Sequence, residues 1–377
     1  MDSKRSFSNK TMRFYWRLVQ GGESENDLSS RELIDNNKFA LPELEKQIHF
    51  CQTAEELGID GLLVDINYAK PDPILLSTAL AYYCKKLKFI VAVRSGLLSP
   101  TLLTQQVNTF SYLNNGRILL NVVAGHSPKE QKYYGDFLAH DERYDRTNEF
   151  MEICNSFWRR ESPVNFSGKH FNITNGTLNT TFQDKHRKAP YIFIAGGSAV
   201  AGKLAVDQGD CWMQLADSPK AIDDSVKPVL KAGIDIGLRL CVIARASREE
   251  AISAAYKIIQ NKEGSTQVEK KEKSFVHNTD SLSIKKTYEL ADSEWLTDTL
   301  WTGAIRHFGA PCIALVGSYE EVASAFIDYK KVGVTEFILA GWPKLGEMKI
   351  FGKFVLPIIR EKEKNQIAYA SSKEVEL

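Results

Sequence analysis

At 377 residues the chain exceeds an average single domain, yet a (β/α)8 barrel with insertions reaches this length as one unit. Its composition, 43% hydrophobic and 25% charged, is ordinary for a soluble globular protein. With 48 basic and 47 acidic side chains the formal net charge is +1, which excludes a bulk electrostatic pull toward nucleic acid or anionic lipid.

Strand-like and helix-like segments alternate along the chain. Residues 13–19, 61–64, 87–93, 118–123, 191–195, 211–215, 238–244 and 336–340 are short runs dense in Ile, Val, Leu and Phe. They do not alternate with polar residues, which is how strands buried on both faces read. Helical patterns fall between them, the first at 41–57, with Leu44, Ile48, Cys51 and Ala54 at helical spacing and Gly58 as a stop. The others are 72–84, 100–113, 144–159, 198–208, 218–231, 247–260, 318–332 and 348–359. Eight strands each followed by a helix predict a closed parallel (β/α)8 TIM barrel, with its site on the loops after the strand C-termini.

One domain is therefore expected over residues 1–363. It is interrupted by a polar excursion near 160–190 and by a Lys/Glu/Ser/Thr-rich stretch near 262–292. The second is expected to be either a solvated loop or a mobile lid over the site. Residues 364–377 read as a polar, disordered tail. No run approaches the roughly 18 apolar residues that span a bilayer, and residues 1–10 hold no apolar core of a secretory signal. The six cysteines (51, 84, 154, 211, 241 and 312) are dispersed and form no CxxC. They predict no metal site, and buried free thiols in a cytoplasmic, reducing setting.

The most informative local feature is the turn Ala195-Gly196-Gly197-Ser198. An apolar strand, Tyr191-Ile192-Phe193-Ile194, enters it, and an Ala/Leu-rich helix leaves it. Glycines permit a tight turn and close approach of a ligand, and Ser198 stands at the N-cap position. The unpaired first amides of the helix, at the positive end of its dipole, offer a seat for phosphate. An ordinary strand-to-helix turn is the competing reading.

Several segments in this order resemble the bacterial luciferase-like flavin monooxygenases, most closely the two-component alkanesulfonate monooxygenase branch, over residues 12–359. They are Phe14-Tyr15-Trp16, the run Ile-Leu-Leu-Asn-Val-Val-Ala-Gly-His-Ser-Pro at 118–128, the run 135–144 ending His140-Asp141-Glu142-Arg143-Tyr144, and Gly168-Lys169-His170-Phe171. The Gly-Gly-Ser turn, Gly237-Leu238-Arg239-Leu240, Leu300-Trp301-Thr302-Gly303, Ala314-Leu315-Val316-Gly317 and Leu339-Ala340-Gly341-Trp342-Pro343 complete the set.

The resemblance implies reduced FMN (FMNH2) supplied by a separate NAD(P)H:flavin reductase. O2 would be the co-substrate, a C4a-peroxyflavin would oxygenate a small organic molecule, and the chain would form a homodimer or homotetramer. No GxGxxG dinucleotide fingerprint is present. His140, Tyr144 and Ser198 match phosphate-binding positions, with Ala195, Gly196 and Gly197 beside them. Asp65, Ala92 and Arg94 match positions bordering the flavin ring, and His126 stands on the same rim. Arg239 matches an arginine that binds an anionic substrate or stabilises the peroxyflavin anion. Cys241, Lys70, Trp342 and Phe308 replace a histidine, a cysteine, a tyrosine and an arginine of the branch, with Arg306 near enough to substitute for the last. Arg239, Cys241 and Trp342 are thus the expected catalytic set, with a rebuilt pocket suited to a larger, more apolar or aromatic substrate than a simple alkanesulfonate. An F420-dependent oxidoreductase of the same fold and a non-catalytic flavin-binding paralogue are the alternatives.

Overall fold

The computed structural model describes residues 10–21, 41–161, 163–260, 276–277 and 279–375. Its strands, in chain order, are β1 (Arg13–Arg17), β2 (Gly61–Val64), β3 (Lys88–Val93), β4 (Ile118–Val123), β5 (Val164–Ser167), β6 (Asn172–Gly176), β7 (Tyr191–Ala195), β8 (Cys211–Leu215), β9 (Asp235–Arg245), β10 (Leu300–Trp301), β11 (Ala314–Ser318) and β12 (Val334–Ala340). Among the described residues, β1, β2, β3, β4, β7, β8, β9 and β12 pair in parallel in that order. The β12–β1 pairing closes the ring. This is the (β/α)8 barrel expected from the alternating pattern.

The period-2 geometry of a strand divides each barrel strand between two environments. Phe14 and Trp16 of β1 face outward into the layer packed by helices, while Tyr15 points inward with Leu63, Ile90, Leu119, Phe193, Met213 and Ile338. These inward side chains fill the barrel as a plug. One or two inward positions further along each strand, the side chains become Arg17, Asp65, Ala92, Arg94, Asn121, Arg239 and Cys241. They line a cavity at the C-terminal mouth. Helix starts at the same end are fixed by side-chain caps. Asp72, Ser99, Ser127, Ser198 and Ser218 each accept a hydrogen bond from a first-turn amide, in most cases with proline at the first helical position.

Several expectations need correction. The strand expected at 238–244 runs from Asp235 to Arg245. Its first half pairs with β8 and its second half with β11, a strand absent from the sequence reading; β10 pairs antiparallel to β11. The excursion at 160–190 contains the antiparallel hairpin β5–β6. It is pinned where the Glu149 carboxylate accepts from the amides of Lys169, His170 and Phe171. Residues 262–275 and 278 of the stretch expected as a lid lie outside the described residues, but Leu282–Leu290 forms a helix against the cavity. The expected disordered tail continues instead as a helix, Leu356–Val375. Past Pro357 that segment holds neither glycine nor proline, so nothing in it stops the helix.

Candidate active site

The cavity has a volume of about 490 Å³, within the range of small-molecule sites. At one end stands the Gly-Gly-Ser turn. Gly196 adopts φ +143°, and a Cβ there would lie 2.6 Å from the Tyr144 hydroxyl. Only glycine fits. Burial raises the Tyr144 pKa, with the Ser198 hydroxyl opposing the shift, so the phenol remains a donor. Ser198 also caps the helix Ala199–Gln208, accepting from the Ala201 amide at 3.2 Å. The Ser283 side chain, from the helix Leu282–Leu290, crowds Gly197: a Cβ there would meet its Oγ at 2.9 Å. That helix is anchored by an Arg143–Asp280 ion pair of 2.6 Å and by the His126 carbonyl, which accepts from Thr279 Oγ1.

His140 is placed differently from expectation. It packs against Tyr144 with ring centroids 5.1 Å apart, but its Nδ1 is engaged with Asp141 at 2.7 Å and it does not line the cavity. Gly197 and Ser198 border the cavity without lining it, whereas Tyr144, Ala195 and Gly196 do line it.

Asp65 dominates the opposite wall. Its carboxylate accepts from Arg17 Nε at 2.7 Å and from Lys70 Nζ at 2.8 Å, and Arg239 Nη1 stands 3.6 Å away. Burial alone would raise its pKa, but Lys70, Arg239 and Arg17 outweigh that and hold it well below the carboxylate range. Among the described residues Arg239 has one long ionic contact, and its side chain is 27% exposed. Arg94 is paired with Glu130. Burial lowers the pKa of His126, with Glu130 opposing and Arg94 assisting, so the imidazole is neutral near pH 7.

Cys241 lines the cavity, but burial and the adjacent Cys312 thiol raise its pKa well above the ordinary value. It stays a neutral thiol, which removes any role as a thiolate. Trp342 is corrected more sharply. It is 3% exposed and sits behind Phe308, ring centroids 5.2 Å apart, rather than in the cavity wall. Phe308 lines the cavity; Arg306 is paired with Asp292 at 2.6 Å and does not. All six cysteines are buried and free, as expected. No group of residues with metal-ligand character occurs among the described residues.

Sequence reasoning missed Arg17, Asn121, Glu130 and Ser283. Arg17 and Asn121 share strand parity with the inward Tyr15 and Leu119, a signal that was available. Glu130 and Ser283 reach the site only through folding.

Comparison with known proteins bears on this geometry directly. A family profile described as luciferase-like monooxygenase matches residues 12–336. The chain belongs to that family. An EDTA monooxygenase from Chelativorans sp. BNC1 superposes with a TM-score of 0.72 at 21% identity, covering 94% of each chain. A riboflavin lyase solved with modified FMN and riboflavin superposes at 0.70 and 18% identity, over 94% of this chain and 92% of that one. An F420-dependent secondary alcohol dehydrogenase solved with an F420–acetone adduct superposes at 0.64 and 16% identity, over 93% and 99%. At these identities the luciferase-like fold is what is shared.

The residues of this chain fit a flavin phosphate at one end of the cavity and its ring within it. The Tyr144 and Ser198 hydroxyls and the Gly197 amide would form the donor end, the Gly196 amide being spent on the Met213 carbonyl at 3.1 Å. The small side chains Ala92 and Ala195 leave space beside buried polar atoms that have no partner among the described residues, Arg94 Nε and Nη1 and Asn121 Oδ1.

Proposed function

We propose that this luciferase-like protein is an FMNH2-dependent, two-component monooxygenase acting on a small organic substrate other than a simple alkanesulfonate. The observation that carries the reading is the continuity of a phosphate seat with a cavity whose opposite wall presents an open guanidinium. Reduced flavin, when bound, supplies the activation of O2 that no side chain here provides.

The chain's own residues do the rest. Tyr144, Ser198 and the first amides of the helix Ala199–Gln208 bind the phosphate. Asp65, fixed by Arg17 and Lys70, orients Arg239 so that its N–H groups face into the cavity. There they meet negative charge developing on the bound reactants. Phe308, Pro311 and Ile284 contribute apolar wall that excludes water. A separate NAD(P)H:flavin reductase would deliver the cofactor reduced, and the chain would work as a homodimer or homotetramer.

Anaerobic titration with FMNH2 and with reduced F420 tests this reading. FMNH2 is expected to bind the tighter, with Tyr144→Phe weakening it by about tenfold through loss of a charge-assisted hydrogen bond. Preference for F420 would overturn it in favour of hydride chemistry on the same fold. Binding of either flavin without catalytic consequence would support an accessory role.

A further inference from the structure

At the N-terminal end of the barrel, away from the cavity, the turn that leads into β3 is fastened from two sides. Cys51 and Glu55 lie four residues apart in the helix Leu44–Glu56, on one face of it. The Glu55 carboxylate accepts from the amides of Lys85 at 2.9 Å, of Lys86, and of Leu87 at 2.8 Å. Arg117, just ahead of β4, donates to the carbonyls of Ala81 at 2.8 Å and Leu87 at 2.9 Å. Cys84 stands midway in sequence between those two carbonyls, and it shares one core cluster with Cys51. Neither thiol lines the cavity.

Cys84 differs from the other thiols. It is 5% exposed, the most of the six, whereas Cys154 is fully buried and burial pushes its pKa up to about 12. The neighbouring Cys51 thiol lowers the Cys84 pKa, with Arg117 assisting and with burial and the Glu55 charge opposing. Cys84 and burial raise that of Cys51. A thiol beside a guanidinium and a second thiol is the setting in which a nucleophilic thiolate forms.

We propose that Cys84 is a peroxide-reactive thiol and Cys51 its resolving partner, so that oxidation of the folded chain joins the helix Leu44–Glu56 to the lead-in of β3 by a disulfide. First the Cys84 thiolate attacks one oxygen of hydrogen peroxide. The O–O bond breaks, Cys84 becomes a sulfenic acid, and the other oxygen leaves as hydroxide, which is protonated to water. Then the Cys51 sulfur attacks the Cys84 sulfur, its proton passes to the departing hydroxyl, and a second water leaves. Two thiols lose two electrons and one peroxide gains them. Under the flavin reading above, reduced flavin meeting O2 without substrate is one source of that peroxide; the thiol pair itself does not depend on that reading.

The test uses the flavin-free full chain, so its failure is separate from any failure of the flavin reading. Alkylation by iodoacetamide and the products of a small excess of hydrogen peroxide are followed by peptide mass mapping. Cys84 is expected to alkylate at least about tenfold faster than Cys154 at pH 7. Peroxide is expected to lower the intact mass by about 2 Da and to give a linked Cys51–Cys84 peptide pair, both reversed by dithiothreitol. Cys51→Ser is expected to leave Cys84 as a sulfenic acid that dimedone traps, and Cys84→Ser to leave Cys51 reduced. Wild-type Cys84 alkylating no faster than Cys154, or peroxide leaving Cys51 and Cys84 unlinked, overturns the proposal without needing any variant.

Discussion

At the scale of single residues, two positions separate binding from chemistry. Among the described residues Arg239 has one ionic contact, at 3.6 Å, and it lines the cavity. Arg239→Ala is expected to lower kcat by about 100-fold while changing the FMN dissociation constant by less than about threefold. Steady-state kinetics beside equilibrium titration checks this, and equal loss of both would remove the assigned role. Gly196→Ala makes the opposite prediction, because its Cβ would strike the Tyr144 hydroxyl at 2.6 Å. FMN affinity should fall by about tenfold or more, and riboflavin, which lacks the phosphate, should lose much less.

Asp65 links the site to stability. Its pKa lies well below the ordinary carboxylate value in the folded protein, so its contribution is complete above about pH 4 and is lost as pH falls further. Asp65→Asn strands Arg17, Lys70 and Arg239 against one another and should cost about 3 kcal/mol at pH 7. Denaturant unfolding at several pH values should show that difference constant above pH 5 and shrinking below pH 4.

At the scale of elements, the polar anchors of the segment Thr279–Leu290 among the described residues include the Arg143–Asp280 pair, the His126 carbonyl and a Lys286–Asp217 contact of 2.9 Å, beside the buried Tyr288. Asp280→Asn is expected to raise hydrogen exchange across this segment with little change in global melting, since local opening needs only local contacts to fail. FMN should reverse the increase if Ser283 borders the bound phosphate, and riboflavin should not. The extension of β9 to Arg245 is the other decisive element. By taking β11 as a partner beyond Arg239, it draws the turn Ala310–Cys312 to the mouth: the Cys241 amide donates to the Ile313 carbonyl at 2.8 Å. Phe308 and Pro311 enter the wall by that route.

At the scale of the whole molecule, Glu363 ties the last helix to the first strand. Its buried carboxylate accepts from the Met12 amide at 2.8 Å and from Lys330 Nζ at 2.9 Å, and from Arg360 at 2.8 Å. These contacts join three parts of the chain far apart in sequence. Glu363→Ala leaves Lys330 buried and unpaired and should destabilise the fold by about 3 kcal/mol, read as a lowered denaturation midpoint with an unchanged m-value. The helix that carries this residue continues to Val375, through residues whose polarity read as a loose tail.

The eight barrel strands were legible because burial on both faces demands uninterrupted apolar runs, and that demand is local. The Gly196–Ser198 turn was legible because positive φ and helix capping also select residues locally. Trp342 was misread as a site residue because an aromatic side chain looks the same in sequence whether it lines a cavity or backs Phe308. Strand β11 escaped because Ala314–Ser318 is short and reads as a lead-in to the next helix. By itself, the sequence determined the barrel, the Gly-Gly-Ser turn and the inward parity that delivers Arg17, Asp65, Asn121 and Arg239 to one mouth. Only the tertiary structure decided that Asp65 is shared among three cations, that Arg94 is taken by Glu130, and that Ser283 closes on Gly197. Apart from Asp65–Lys70, five positions apart, those contacts join residues dozens to more than a hundred positions apart, where burial and charge balance act through space and leave no local pattern in the chain.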